Sequence, residues 1–362
     1  MDKDQKIKAI SSEAFGSLPD GSKATLYTLV NNQGSRLQIS DYGCTVVRME
    51  SPDKRGELAD VVLGFDSLQG YLESRYFFGA IIGRTANRIG GASFSLDGVT
   101  HTLAKNTGIG NNLHGGLKGF DKVLWSVTEL TSPEGPALSF KYHSADGEEG
   151  FPGAVDVEAV HTWTHDHTLR IDLTATSGRP TVLNLTHHSY FNLAGAGQGD
   201  ILSHQVEIFA DHFTPIGQGQ IPTGEIRELG ASPLDFRTPH AIGERIKAVD
   251  GQIELSRGYD HNFVLRKSGD PSIPQLAARV REENTGRVLE VSSTQPGVQF
   301  YTGNFIRPDT KGKDSQVYGP HSAFCLEPQH FPDSPNKPQF PSTRLDPGQT
   351  YRHTIAYRLS AS

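Results

Sequence analysis

Cysteine is scarce in this chain. Cys44 and Cys325 are the only two among 362 residues, and they lie far apart. That excludes a disulfide framework and fits a reducing compartment. No run of about 18 apolar residues occurs, so no membrane-spanning helix is expected. The N-terminal stretch MDKDQKIKAISSEAFG lacks an apolar segment of signal-peptide length, which makes the cytoplasm the expected location. Basic residues are outnumbered, 34 Lys and Arg against 41 Asp and Glu, for a net charge of −7. A nucleic-acid or anionic-membrane partner needs the opposite balance. Several chemistries are missing too. GRTANRIGG (83–91) and GAGQG (195–199) match neither GxxxxGK[ST] nor GxGxxG, which leaves no phosphate loop there. No HExxH or CxxC occurs, and HHSYF is not a GxSxG nucleophile elbow. No metal and no cofactor is expected.

Helix signals are weak as well, because 39 Gly and 21 Pro interrupt nearly every segment. Strand signals are strong. SFSLDGVTHTL reads as a hairpin, with Asp97-Gly98 supplying the two positive-φ residues of a type I′ turn. Further strands are expected at KATLYTLVN, RLQISDYG, CTVVRMES, VLWSVTEL, ALSFKYHS, AVDVEAVHTW, TLRIDLTATS, HQVEIFAD, HNFVLRK, QLAARVREE, RVLEVSST, VQFYTGNF, AFCLEPQ and YRHTIAYRL. The helix candidates are SLQGYLES near residue 70 and a turn around Gln329 to Asp333. Many short strands at regular spacing indicate an all-β antiparallel sandwich or barrel, not βαβ units. GDPSIPQ (269–275) and RPDTKGKDSQVYGPH (307–321) read as loops between strands. Nothing divides the chain, and a single domain over 1–362 is expected.

Polar residues on these strands carry the functional reading. In NLTHHSYFNL (184–193), period two places Asn184, Thr186, His188, Tyr190 and Asn192 on one face. Leu185, His187, Ser189, Phe191 and Leu193 fall on the other, which is a core face holding one histidine. The two adjacent histidines therefore have different fates. In GRTANRIGG the default reading is a loop with solvated arginines; the sharper one aims Asn87 and Arg88 at hydroxyl oxygens. His114 precedes two glycines that permit close backbone approach. His161, His165 and His167 share a strand face with Trp163 and read as a solvated strand end. Glu327 stands within the apolar stretch FCLEPQ, a candidate base with a tuned pKa. This inventory suits a polyhydroxylated ligand and proton transfer.

Taken together and in order, these stretches carry a resemblance. FFGAIIGRTANRIGGASFSLDG, NNLHGG, NLTHHSYFNL, GYDHNFVL, TQPGVQFYTGNF and LEPQHFPDSPN resemble the aldose 1-epimerases, or galactose mutarotases. The likeness begins near Phe15, leaving 1–14 as an extension or a first strand. It implies a large antiparallel β-sandwich with few short helices, its sugar cleft on one concave face. It implies interconversion of the α and β anomers of free hexoses, with a monosaccharide as the partner and a monomer or homodimer as the assembly. It implies His188 as general acid, Glu327 as general base and His114 as an assistant at the reacting end. Asn87, Arg88, Tyr190, Asp260 and Gln299 are implied as sugar-binding residues. One departure stands out: the family usually has Asn where this chain has His187. Rival readings are a glycoside hydrolase using Asp260 and Glu327, a non-catalytic sugar sensor, and a hexose-phosphate epimerase exploiting Arg84 and Arg88.

Overall fold

The computed structural model describes residues 9–362. Three antiparallel sheets dominate. The first is a meander of Ile10–Ser17, Lys23–Val30, Arg36–Ser40, Thr45–Pro52 and Leu58–Asp60. The second has nine strands, ordered Ser126–Leu130, Ala137–Ser144, Val155–Trp163, Thr168–Ser177, Tyr351–Ala361, Arg287–Ser293, Gln275–Arg281, Gln205–Ile208 and His240–Ala241. The third has five, ordered Arg227–Glu228, Ala210–Thr214, Asp260–Leu265, Gly297–Tyr301 and Cys325–Gln329.

Period-two patterning explains how they stack. In Thr168–Ser177 the buried residues alternate, with Leu169, Ile171, Leu173 and Ala175 turned inward. These side chains share one apolar cluster with Phe263, Val298, Phe300 and Leu326 of the five-stranded sheet. The sheets thus close on a common core as a sandwich, as expected. The Asp97-Gly98 hairpin is also present: Leu96 pairs Val99, and the two turn residues have φ 51 and 77. No helix is long and apolar enough to cross a membrane among the described residues.

Of the two alternatives open for the N-terminal residues, those from Ile10 on form the first strand, and three local expectations change. Ile10–Ser17 is a strand, although ISSEAFGS shows no alternation. It pairs with Lys23–Val30 through its backbone while most of its side chains stay exposed or half-buried. Leu68–Glu73 is helical as expected, but two short helices, Ile242–Arg245 and Gly251–Ser256, were not anticipated. The second is capped by Asp250, whose carboxylate accepts the Gln252 N–H. The turn expected at Gln329 to Asp333 moves on to Ser334–Asn336, because Gln329 remains paired with Gly297 in the sheet. The HTWTHDH stretch is not a solvated strand end. Val155–Trp163 lies between two other strands, and its His161 and Trp163 turn into the core, fully buried.

Burial pushes the His161 pKa down to about 3, and that of His261 likewise to about 3. A histidine with a depressed folded pKa contributes stability that is intact above the unfolded value, near 6.5, and is lost as pH falls below it. The midpoint of urea unfolding should therefore drop between pH 7 and pH 5. His161→Leu should flatten that slope by roughly 1.4 kcal/mol per pH unit below 6.5. An unchanged slope in the variant would assign the pH dependence to other groups.

Candidate active site

Register builds the floor of the site. Across three neighbouring strands of the five-stranded sheet, Asn262 faces Gln299 and Gln299 faces Glu327. Two residues along, on the same face, Asp260 opposes Tyr301 and Tyr301 opposes Cys325. The opposite face carries Phe263, Phe300 and Leu326 into the core. One sheet thus presents an apolar side to the sandwich and a polar side to a pocket.

The walls come from elsewhere in the chain. The strand Thr186–His187 pairs with Ile81–Ile82 and delivers His188 beside Glu327. His188 Nε2 lies 3.4 Å from Glu327 Oε2. The His188 ring stacks on Tyr190 at 4.9 Å, the two rings being 8° from parallel. His187 points the other way, fully buried against Tyr357 and His161. The Arg88–Ile89 strand pairs with Asn112–Leu113, which brings His114 alongside. His114 and Asn87 hold each other: the His114 N–H donates to Asn87 O at 2.9 Å, and Asn87 N–H donates to His114 Nδ1 at 3.2 Å. Gly115 makes this approach feasible, for a Cβ there would sit 1.9 Å from Gly83 O.

These groups enclose a cavity of about 170 Å³. Seven of the eight expected site residues line it: Asn87, Arg88, His114, His188, Tyr190, Asp260 and Glu327. Gln299 does not line it; from the same sheet face it donates to Asp260 Oδ1 at 2.7 Å. The sequence reading passed over the apolar walls, Phe77, Tyr301 and Phe305. Phe77 packs on His114 at 4.5 Å, and Phe305 stays 42% exposed at the mouth, the one signal that marks it. A larger depression, about 570 Å³ around Lys141, His143, Asp156 and Arg352, gathers none of these groups.

Burial governs the electrostatics. It pushes His188 down to about 3 and His114 well below the usual imidazole range, the latter aided by His188 and Arg88. Glu327 is driven well above the usual carboxylate range, by burial first and then by Asp260. Burial also raises Asp260, while Arg88 and the Gln299 hydrogen bond oppose it. Arg88 bonds Gln220 Oε1 and keeps its backbone N–H on Asn87 Oδ1 at 2.9 Å. Polar atoms of His114, His188 and Glu327 lie within 4.8 Å of one another, a spacing a metal ion could use. The donor set fits poorly. Because His114 Nδ1 accepts the Asn87 N–H, its proton sits on Nε2, which makes that nitrogen a hydrogen-bond donor instead of a ligand.

Arg84 corrects the expectation of a solvated or phosphate-facing arginine. It is 2% exposed, and its guanidinium binds Ser144 Oγ at 2.7 Å, Ala145 O at 2.8 Å, Pro152 O at 2.9 Å and Gly153 O at 2.5 Å. It ties loops together and is not available to a substrate phosphate.

Comparisons with known proteins cover nearly the whole chain. The family model for aldose 1-epimerase matches residues 25–358. The galactose mutarotase of Bos taurus is 43% identical over 354 residues, spanning 98% of this chain and 99% of its own. The aldose 1-epimerase of Escherichia coli K12 is 35% identical over 345 residues, spanning 95% of this chain and 97% of its own. The solved structure of an aldose epimerase homologue from C. elegans superposes with a TM-score of 0.84 at 29% identity, over 97% of this chain and 99% of that one.

Arg84→Met should cost about 3 kcal/mol or more in urea unfolding, since several buried acceptors lose their donor together. A loss below about 1 kcal/mol would show that water replaces the guanidinium there.

Proposed function

The chain belongs to the aldose 1-epimerase family, and we propose that it interconverts the α and β anomers of free hexoses such as glucose and galactose. The observation that carries the assignment of roles is the contact between His188 Nε2 and Glu327 Oε2 at the bottom of the cavity. Anomer exchange needs two proton movements. Glu327 removes the proton of the C1 hydroxyl, the C1–O5 bond breaks, and His188 protonates O5. The product is the open-chain aldehyde. Rotation about C1–C2 presents the other face of the carbonyl, and the steps reverse: His188 takes back the O5 proton, O5 attacks C1, and Glu327 reprotonates O1. Protons and electrons balance within the sugar and the pair, and no redox step occurs.

The pair shares one mobile proton. Burial favours a protonated Glu327 and a neutral His188. Carboxylate and imidazolium are the same protonation state with that proton moved across the contact, so bulk pH does not choose between them. A sugar that offers O1–H to Glu327 and O5 to His188 stabilises the ionic form and starts the reaction. The His114 Nε2–H is a fixed donor for the developing carbonyl oxygen. Asn87, Arg88 and Asp260 hold the ring hydroxyls, with Gln299 orienting Asp260. Phe77, Tyr301 and Phe305 cover the apolar C–H faces of the sugar. Of the two arginines a hexose phosphate could use, Arg84 is committed to loop carbonyls. The cytoplasm is the proposed compartment, supported by two buried, unpaired cysteines.

Polarimetry of freshly dissolved α-glucose and α-galactose tests the activity; equilibration no faster than in buffer would falsify it. Glu327→Gln should lower the rate by about 10²–10⁴-fold. A near-normal rate in that variant moves the base elsewhere. The acid limb of kcat/KM should lie below pH 6.5, because a second proton must be forced onto a histidine held down at about 3. Half-loss of the buffer-corrected rate at pH 6.5 would mean that His188 titrates as a solvated imidazole.

A further inference from the structure

The acid and the base stand on adjacent segments that no regular ladder joins. Residues 184–191 run antiparallel to residues 324–330. Backbone hydrogen bonds link them at one end, where Phe191 and Phe324 exchange N–H···O bonds of 2.7 and 2.9 Å. At the other end the Asn184 side chain grips the backbone of His330 at 3.0 and 3.3 Å. Between those ends the backbone looks elsewhere. Thr186 and His187 pair with Ile82 and Ile81, and the His188 N–H donates to Ala80 O. Cys325–Gln329 pairs with Gly297–Tyr301 on its other edge.

Two buried hydroxyls fill that gap. Thr186 Oγ1 donates to Pro328 O at 2.7 Å. Tyr357 reaches in from the nine-stranded sheet, across the core, with its ring against His187 at 5.4 Å and Phe191 at 5.3 Å. Its hydroxyl donates to Leu326 O at 3.0 Å and lies 3.4 Å from His187 O. Those two carbonyls belong to the peptide units directly preceding Glu327 and His188. One O–H therefore touches both peptide units from which the acid and the base project. Tyr357 is fully buried and does not line the cavity.

We infer that Tyr357 is a positioning residue for proton transfer, its hydroxyl setting the spacing of His188 and Glu327 from behind. The inference rests on the reading of that pair as acid and base. Proton transfer falls off steeply with misplacement, and displacements near 1 Å can cost about 10²-fold. Sugar binding depends on Asn87, Arg88 and Asp260, which Tyr357 does not touch. Loss of the hydroxyl should therefore appear in kcat and leave KM nearly unchanged.

The experiment is Tyr357→Phe, which keeps the ring and its packing, assayed by polarimetry well below its unfolding temperature. The expected result is a kcat lowered by roughly tenfold or more, with KM for glucose within about twofold of wild type. Thr186→Val removes the companion hydroxyl and should act in the same direction. Because both hydroxyls hold one geometry, the double variant should lose less than the product of the single losses. A lowered unfolding temperature with wild-type kcat in Tyr357→Phe makes the hydroxyl purely structural and overturns the inference. If Tyr357→Phe does not fold, Thr186→Val decides: a wild-type kcat there overturns it equally. Glu327→Gln separates the two readings. If Glu327→Gln is inactive while the hydroxyl variants are normal, only this inference falls. If Glu327→Gln is active, the acid–base assignment falls with it.

Discussion

A carboxyl group inside a fully buried strand is the constraint around which the site is arranged. All five residues of Cys325–Gln329 are buried, and Glu327 is among them. It meets solvent only where it edges the cavity, and an isolated buried carboxylate is strongly disfavoured. Its neighbours must therefore supply polarity: His188 at 3.4 Å, and Gln299 directly across the ladder. The same burial makes a proton on this pair easier to move. Each partner is 4% exposed or less, so transfer needs little reorganisation of solvent around either group. Pocket polarity and catalytic potential follow from one act of burial.

The sandwich makes that burial possible. Residues 87, 114, 188, 260 and 327 are spread over most of the chain, and antiparallel register converts that separation into adjacency. The polar face of the five-stranded sheet would be costly to bury alone. It is tolerable because its opposite face joins the main core, which fixes the strands rigidly. Aromatic rings then close the polar side. Phe77 lies against both His114 and His188, and Tyr190 stacks on His188. These rings lower the local dielectric while leaving one edge of each imidazole facing the cavity.

Much of this was legible in the sequence, because period two is a property of neighbouring residues. Alternation separated His188 from His187, and the structure keeps them on opposite sides even though only Thr186–His187 forms regular ladder. The Asp-Gly turn was legible for the same local reason. Arg84 and His161 were not. Whether such a side chain meets water or protein depends on which strand or loop covers it, and that information lies in segments 60 or more residues away for Arg84. The Gln299 bond to Asp260 was not legible either, since it joins side chains of two different strands. The strand Ile10–Ser17 left no pattern because its side chains bury little; its neighbour's backbone specifies it.

His187, buried beside the acid, supports it from the core side. Its Nε2 lies 3.0 Å from Gly79 O, and with Nδ1 unpartnered the proton belongs on Nε2. Burial keeps the ring neutral, so it serves as a donor without carrying charge. The bond matters because of what Gly79 does next. Its carbonyl also accepts the Val46 N–H at 2.8 Å, and its N–H donates to His188 O at 3.0 Å. A Cβ at Gly79 would lie 2.1 Å from Val46 O, so this backbone is pressed against its neighbour and has little room to shift. His187 thus anchors the peptide that holds the backbone of His188. It does so from the core side, with no access to the cavity, and the proton exchanged with the sugar never needs to reach it.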